Sequence, residues 1–391
     1  MVLLCFYCSK VQARTLNSVR VDNFKKNSDN TVYSSTKVES LVRPTSRSKK
    51  TGKISTSSIC NSRLVEKKKT LIRPTVKDRI PNELPCFPTH NKGYLTGKLE
   101  LFIQPTISGN VLSGTYGCVR NGGSRFHDGI DVKSIQRDRH NEPMDEILAI
   151  LSGRVAYINA KPQDSDYGRY IILEHKEGGL SFYTLYAHLA KIDAQLKVNS
   201  FVKKSQTLGI MGHSSSLGIP VRLAHLHHSI GFRLDYDNLF EDWYKTKGFA
   251  TPNKHGCWNG LNLVGLDPLE FLNSKKTFSV FLKQQITAFQ LSFDFPSIPT
   301  FITQNPGLLK KPIPQKVLGW KVSFNWVGCP IAWEPLTEKP KKRISVEYIN
   351  KEELFKHGNR HTLELNKKGN PYIGKTLKRL LFELLGENFT L

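Results

Sequence analysis

Between about residues 146 and 231 the chain alternates short apolar runs with Gly, Asp and Asn. The clearest runs are Ile147-Leu148-Ala149-Ile150-Leu151, Tyr170-Ile171-Ile172-Leu173, Phe182-Tyr183-Thr184-Leu185-Tyr186 and Leu208-Gly209-Ile210-Met211. Apolar runs of this length, bounded by turn formers, predict strands joined into antiparallel sheet. An all-β domain is expected here. Residues 1–80 show no sustained helical or strand period. After residue 273 the pattern changes: 278–282 and 288–293 read as strands, 296–314 is rich in proline, and 320–326 alternates in strand fashion. Residues 374–385 have helical spacing with cations on one side. No internal repeat is present.

Chemistry-bearing residues fall on three short stretches of this framework. They are Phe126-His127-Asp128-Gly129-Ile130-Asp131, Leu185-Tyr186-Ala187-His188-Leu189 and His225-Leu226-His227-His228. On a strand, residues two apart share a face, so His225 and His227 project together while Leu226 and His228 point the other way. Only one of the two need touch a metal, the other serving beside it as a base. His127 and Asp131 are four apart around Gly129, which permits a tight turn that brings them to one point. Two imidazoles, one carboxylate and two further imidazoles form a catalytic-zinc inventory, since such sites use three His/Asp/Glu ligands and leave a position for water. No His-Glu-x-x-His pattern is present, which excludes the thermolysin-like design.

The chain resembles the lysostaphin-type (LytM-like) zinc metalloendopeptidases, hydrolases of bacterial peptidoglycan, over roughly residues 99–272. The family order His-x-x-x-Asp, Tyr-x-His, His-x-His recurs as His127/Asp131, Tyr186/His188 and His225/His227. Gly153-Arg154-Val155, the strand ending at His175, the turn around Lys203-Lys204 and Asp267-Pro268 also match family features. The resemblance implies a compact antiparallel β barrel-sandwich with its metal site in a groove across one sheet. It implies Zn2+ as cofactor, held by His127, Asp131 and His227, with His188 and His225 as the catalytic pair. The implied reaction is attack of zinc-activated water on a peptide carbonyl, one histidine taking the proton and the other stabilising the oxyanion or protonating the leaving amine. The neighbours Ala224, His228 and Ser229 and the longer lead-in 212–220 depart from the family pattern and bear on substrate fit.

Charge adds a second feature. The 391 residues carry a formal +24, and residues 1–80 hold 18 Lys and Arg against 5 acidic residues, a net +13. Low hydrophobicity with high charge predicts a disordered tail. Such a tail suits an anionic wall or membrane surface; no nucleic-acid module is recognisable, so no specific nucleic acid is expected. The apolar opening at residues 1–8 is short for a secretory signal and lacks a preceding charge. A cell-envelope, periplasmic or extracellular location is therefore expected from the substrate class. The seven cysteines are odd in number and indicate no disulfide framework.

The expected organisation is a basic, largely disordered tail (1–80), a zinc endopeptidase domain (95–272) and a β-rich accessory region (273–391). Residues 232–264 form an insertion rich in aromatics, among them Tyr236, Phe240, Trp243, Tyr244, Phe249 and Trp258, expected to pack a loop or helix against the sheet. The expected activity is cleavage of the peptide stems that cross-link peptidoglycan. The alternative is an inactive scaffold of the same fold that binds wall and activates another hydrolase.

Overall fold

The computed structural model describes residues 83–120, 125–356 and 360–386. The tail at 1–80 lies outside the described residues. Ten strands carry the site region or support it: β1 (Val119–Arg120), β2 (Arg125–Phe126), β3 (Ile130–Lys133), β4 (Glu146–Leu148) and β5 (Gly153–Asn159) come first. They are followed by β6 (Tyr170–Glu177), β7 (Leu180–Ala187), β8 (Leu189–Ile192), β9 (Phe201–Val202) and β10 (Thr207–Met211). Two further strands, β11 (His225–Arg233) and β12 (Leu263–Leu266), complete the main sheet.

That sheet has seven strands in the order β12-β11-β7-β6-β5-β9, and β3 pairs with the first half of β11 on the edge that β12 occupies further along. A three-stranded sheet, β4-β10-β8, contributes Ile147, Leu208 and Met211 to the same apolar core as Ile171, Leu173, Tyr186 and Leu226. All these pairings are antiparallel. The all-β antiparallel expectation holds, with sheets that stay open and do not close into a barrel.

Local chemistry explains the frame. β6 and β7 join through Gly178-Gly179, both at positive φ (58° and 75°), the backbone that a two-residue hairpin turn requires. Every residue of β7 is buried. Phe182 and Tyr186 enter the main core, whereas Tyr183, Leu185 and Ala187 join a second cluster with Tyr170, Ile172 and Trp258. A strand covered on both faces reads as a continuous apolar run. The second cover comes from the insertion, which also holds α1 (Leu239–Thr246). Phe240 and Trp258 are buried and Tyr244 stacks on Phe249 at 4.4 Å, so these aromatics pack an added layer.

The core continues past residue 272. After α2 (Pro268–Ser274), residues 278–282 form a helix, α3 (Phe278–Leu282), where a strand was expected. Phe278, Phe281 and Leu282 are its buried residues, an i, i+3, i+4 set that makes one helical face. Glu177 fixes its start by accepting from the Phe278 and Ser279 N–H groups at 2.9 and 3.0 Å, and Phe278 stacks on Phe182 at 3.8 Å. Beyond it come β13 (Phe289–Phe293), α4 (Thr300–Gln304), β14 (Gly319–Phe324), β15 (Pro330–Leu336) and β16 (Ile344–Ile349). The last four-stranded sheet runs β15-β14-β13-β16. α5 (Lys351–Phe355), the pair β17 (Leu363–Leu365) and β18 (Pro371–Ile373), and α6 (Lys375–Leu385) close the described chain.

Candidate metal centre

Strand register builds the centre. Within β11, His227 lies opposite Asp131 of β3 on one side and Ala187 of β7 on the other. Asp131, His227 and the strand end that carries His188 are therefore side by side. His127 arrives from the β2–β3 turn. Gly129 in that turn is needed for space: a Cβ there would sit 2.4 Å from the His228 carbonyl oxygen and 2.9 Å from the His227 ring. Its φ is not in the left-handed region, so close approach, and not turn geometry, selects the glycine.

Three buried ligand atoms converge. His127 Nε2 is 2.9 Å from Asp131 Oδ1 and 3.1 Å from His227 Nδ1, and His227 Nδ1 is 3.2 Å from Asp131 Oδ1. These three residues form the one potential metal-holding cluster found among the described residues. His127 Nδ1 donates to the Thr115 carbonyl at 2.8 Å, which leaves Nε2 with its lone pair facing the cluster. Ligand atoms at about 2.0–2.1 Å from a tetrahedral zinc lie roughly 3.3 Å apart, close to the spacing here. Two imidazole nitrogens and a carboxylate this close could hold a cation between them, and such an N,N,O donor set suits zinc.

The surroundings hold the three in place. His227 Nε2 lies 3.4 Å from Asp128 Oδ1, a charge contact, and the Tyr167 hydroxyl donates to Asp128 Oδ2 at 2.5 Å. Arg120 Nη2 donates to Asp131 Oδ2 at 2.7 Å, which occupies the oxygen turned away from the cluster, and the same guanidinium bonds the Ser113 carbonyl. Burial opposes ionisation of Asp128, but hydrogen bonding and charge from His227 with the Tyr167 hydroxyl hold its carboxyl well below the usual range. Burial likewise opposes the charge on Asp131, and the contacts it receives from the imidazoles of His127, His225 and His227 outweigh it and keep that carboxyl low. Against the pull of burial, Asp128 and Asp131 push His227 up to about 9 in the absence of a metal.

The other two site histidines flank the cluster. His225 Nε2 lies 3.5 Å from Asp131 Oδ1, and its ring centroid is 4.8 Å from that of His188. His188 Nδ1 bonds the Ser214 carbonyl at 2.9 Å and His225 Nδ1 bonds the Leu223 carbonyl at 2.7 Å. A carbonyl only accepts, so both rings carry the proton on Nδ1 and present a bare Nε2. Burial, with His225 and His227 nearby, holds His188 well below the usual histidine range; burial also lowers His225, against the pull of Asp131. His188 sits at φ 62°, an uncommon backbone for a residue with a Cβ, held by its N–H bond to the Tyr167 carbonyl at 2.9 Å. His228 points to the opposite face, bonded to the Leu185 carbonyl and 4.9 Å from the Tyr186 ring.

All five predicted residues line one groove of about 230 Å³. Thr106, Ile107, Leu217 and Ile219 also line it. None of the insertion aromatics lines it. Sequence reasoning missed Arg120, Asp128 and Tyr167. Asp128 stands inside the Phe126–Asp131 stretch, so its position was flagged but its partners were not, and Tyr167 lies just ahead of the strand that ends at His175. Arg120 had no local signal, because the pairing that brings it to Asp131 is tertiary.

The model of peptidase family M23 matches residues 125–236. Among solved structures, the catalytic domain of the antimicrobial peptidase lysostaphin from Staphylococcus simulans is 22% identical, covering 41% of this chain and 87% of that one, with a TM-score of 0.26. The catalytic domain of the prophage-encoded M23 protein EnpA from Enterococcus faecalis is 21% identical, covering 33% and 80%, with a TM-score of 0.24. Csd3 of Helicobacter pylori is 20% identical, covering 48% of this chain and 34% of its own length, with a TM-score of 0.28. This chain thus spans about a third of Csd3. No curated protein sequence matches. No helix among the described residues is long and apolar enough to cross a membrane. The matched segment contains His127, Asp131, His188, His225 and His227, and over it the chain is similar to peptidase family M23, the lysostaphin-type family that its motifs resemble.

Proposed function

We propose that this protein is a zinc-dependent endopeptidase that hydrolyses peptide cross-links of bacterial peptidoglycan, acting in the cell envelope or outside the cell. The observation that carries this reading is the convergence of His127 Nε2, Asp131 Oδ1 and His227 Nδ1 beside two histidines whose tautomers are set by backbone carbonyls. His127, Asp131 and His227 would hold the ion. When bound, zinc supplies Lewis acidity that makes water a nucleophile near neutral pH.

The chain's own groups then manage the protons. His188 and His225 each offer a bare Nε2 to the groove, and their lowered pKa values keep them neutral near pH 7. One takes the proton from the attacking water, and the other stabilises the developing oxyanion or protonates the leaving amine. Asp128 orients His227 from behind, as carboxylates do for metal-bound imidazoles. Arg120 keeps one Asp131 oxygen occupied, leaving the other for the ion. In this reading residues 95–272 form the catalytic domain, and the tail with its net +13 adds long-range attraction to anionic walls.

Purified wall sacculi treated with the zinc-loaded protein should release peptide fragments with new amino termini. Mass spectrometry of those fragments identifies the bond cut. Zinc binding at about one ion per chain without any fragment release would replace this reading with that of an inactive scaffold.

A further inference from the structure

A second cavity, of about 630 Å³, opens beside the histidine groove. Arg125, Phe126, Asp128, Asp166 and Tyr167 line both, so the two spaces adjoin. Its far wall lies outside the M23-matched segment: Lys254 comes from the insertion, and Arg360 and Arg379 come from the C-terminal region.

The charges of this wall are unevenly matched. Lys254 pairs with Asp164 at 2.6 Å, Arg125 approaches Asp166 at 3.8 Å, and Asp128 is committed to His227 and Tyr167. Arg360 is different. Its guanidinium lies over the Phe126 ring, 4.1 Å from the centroid, and donates only a long bond, 3.5 Å, to the Val327 carbonyl. It pairs with no carboxylate among the described residues. Arg379 on α6 shares its charge with Glu383 alone, at 3.0 Å. Burial pushes Glu383 up to about 8 despite Arg379, so that carboxyl offsets its partner only in part near neutrality. The other acids of this cavity, Asp128, Asp164 and Asp166, are each engaged with other groups, so among the described residues Arg360 has no carboxylate in hydrogen-bonding contact and Arg379 has only Glu383. A guanidinium that faces a cavity without a carboxylate partner attracts an anion there, and its planar fork matches a carboxylate in two parallel hydrogen bonds.

We propose that this cavity is a subsite for a carboxylate of the bound peptide, held by Arg360 and Arg379. The proposal rests on reading the adjoining groove as a peptide-cleaving centre, because the anionic groups of a peptide are its carboxylates. It gives the C-terminal region a part in substrate selection. The carboxylate comes from the chain end or from an acidic side chain, and the test separates the two.

The test uses full-length, zinc-loaded protein carrying His225→Ala, so that cutting of bound peptide is slowed by about 10²-fold or more during the measurement. Binding of stem peptides is measured by calorimetry, with the chain-end carboxylate or the side-chain carboxylate replaced singly by carboxamide. One of the two replacements is expected to weaken binding about tenfold, which identifies the source. Adding Arg360→Gln should abolish that preference while leaving the affinity for the carboxamide peptide unchanged. Arg360→Lys, which keeps the charge and loses the fork, should retain part of it and serves if the Gln variant fails to fold. An undiminished carboxylate preference in both Arg360 variants, or no preference in the parent, overturns the proposal. A preference that depends on Arg360, in a protein whose wild type cuts no wall peptide, supports the subsite while the catalytic reading fails.

Discussion

His227 and His175 are equally hidden from water, 4% and 1% exposed, yet their surroundings drive them in opposite directions. His175, on β6, donates from Nδ1 to the Ser152 carbonyl at 2.9 Å and accepts at Nε2 from the Thr184 hydroxyl at 2.8 Å. Both nitrogens are satisfied in the neutral ring, and burial holds its pKa down to about 4. His227, on β11, lies between the carboxylates of Asp128 and Asp131, which push it up to about 9. Burial alone therefore assigns no role to a histidine. The partners decide: a carbonyl and a hydroxyl make a core residue, whereas two carboxylates and a second imidazole make a place for a cation.

The comparison also explains Gly153. A Cβ at that position would lie 2.7 Å from His175 Nδ1, so the glycine that opens β5 makes room for the core histidine. The two family features, a glycine strand start and a strand ending in His, are two sides of one contact.

The strongest way to break the contrast is to remove its cationic side. His127→Ala, Asp131→Ala and His227→Ala should each reduce zinc from about one ion per chain to a trace, measured by atomic absorption after dialysis, and abolish hydrolysis. Full occupancy in His227→Ala would move the ligand role to a neighbouring histidine. His175→Ala, by contrast, should leave zinc content unchanged.

Next in size are the two flanking rings. His188→Ala and His225→Ala should keep their zinc and lose hydrolysis by about 10²-fold or more, the usual contribution of a general acid or base. Metal loss in either variant would place that histidine among the ligands.

The carboxylate behind His227 gives a smaller effect. Asp128→Asn removes charge while preserving shape, and zinc affinity should weaken by about 10–100-fold. Competition with a calibrated chelator measures this. An unchanged affinity would reduce Asp128 to a partner of Tyr167.

The core histidine acts on stability instead of on the metal, and its effect appears as a pH dependence. An unfolded histidine titrates near 6.5 and folded His175 near 4, so in that window the unfolded chain binds more protons. Its contribution is present above pH 6.5 and is lost as pH falls toward 4, at about 1.4 kcal/mol per unit and about 3 kcal/mol in all. In His175→Gln, which keeps a donor and an acceptor without titrating, the stability measured by urea unfolding should fall less steeply between pH 6.5 and 4. Parallel slopes for the two proteins would show that His175 does not titrate in this window.

Much of this was legible along the chain. Period-2 alternation is a local property, so the shared face of His225 and His227 and the opposite face for His228 follow from strand geometry. The run at 278–282 was misread because a short apolar segment fits a strand as well as a helix. Only Glu177, a hundred residues away, supplies the cap that starts α3. Arg120 was invisible for a related reason: its meaning lies in a 2.7 Å contact with Asp131.

The sequence by itself determined the five side chains of the groove, their pairing by motif and the antiparallel strands that bear them, because residue type, spacing and alternation are encoded within a few positions. Tertiary structure decided the rest. The register of β3, β11 and β7 placed Asp131, His227 and His188 together, backbone carbonyls chose which nitrogen each flanking histidine presents, and the C-terminal region brought Arg360 against Phe126. Apart from the Leu223 carbonyl, which lies two positions from His225 in sequence, these contacts join residues from 26 to more than 200 positions apart, and local pattern carries no information about such pairings.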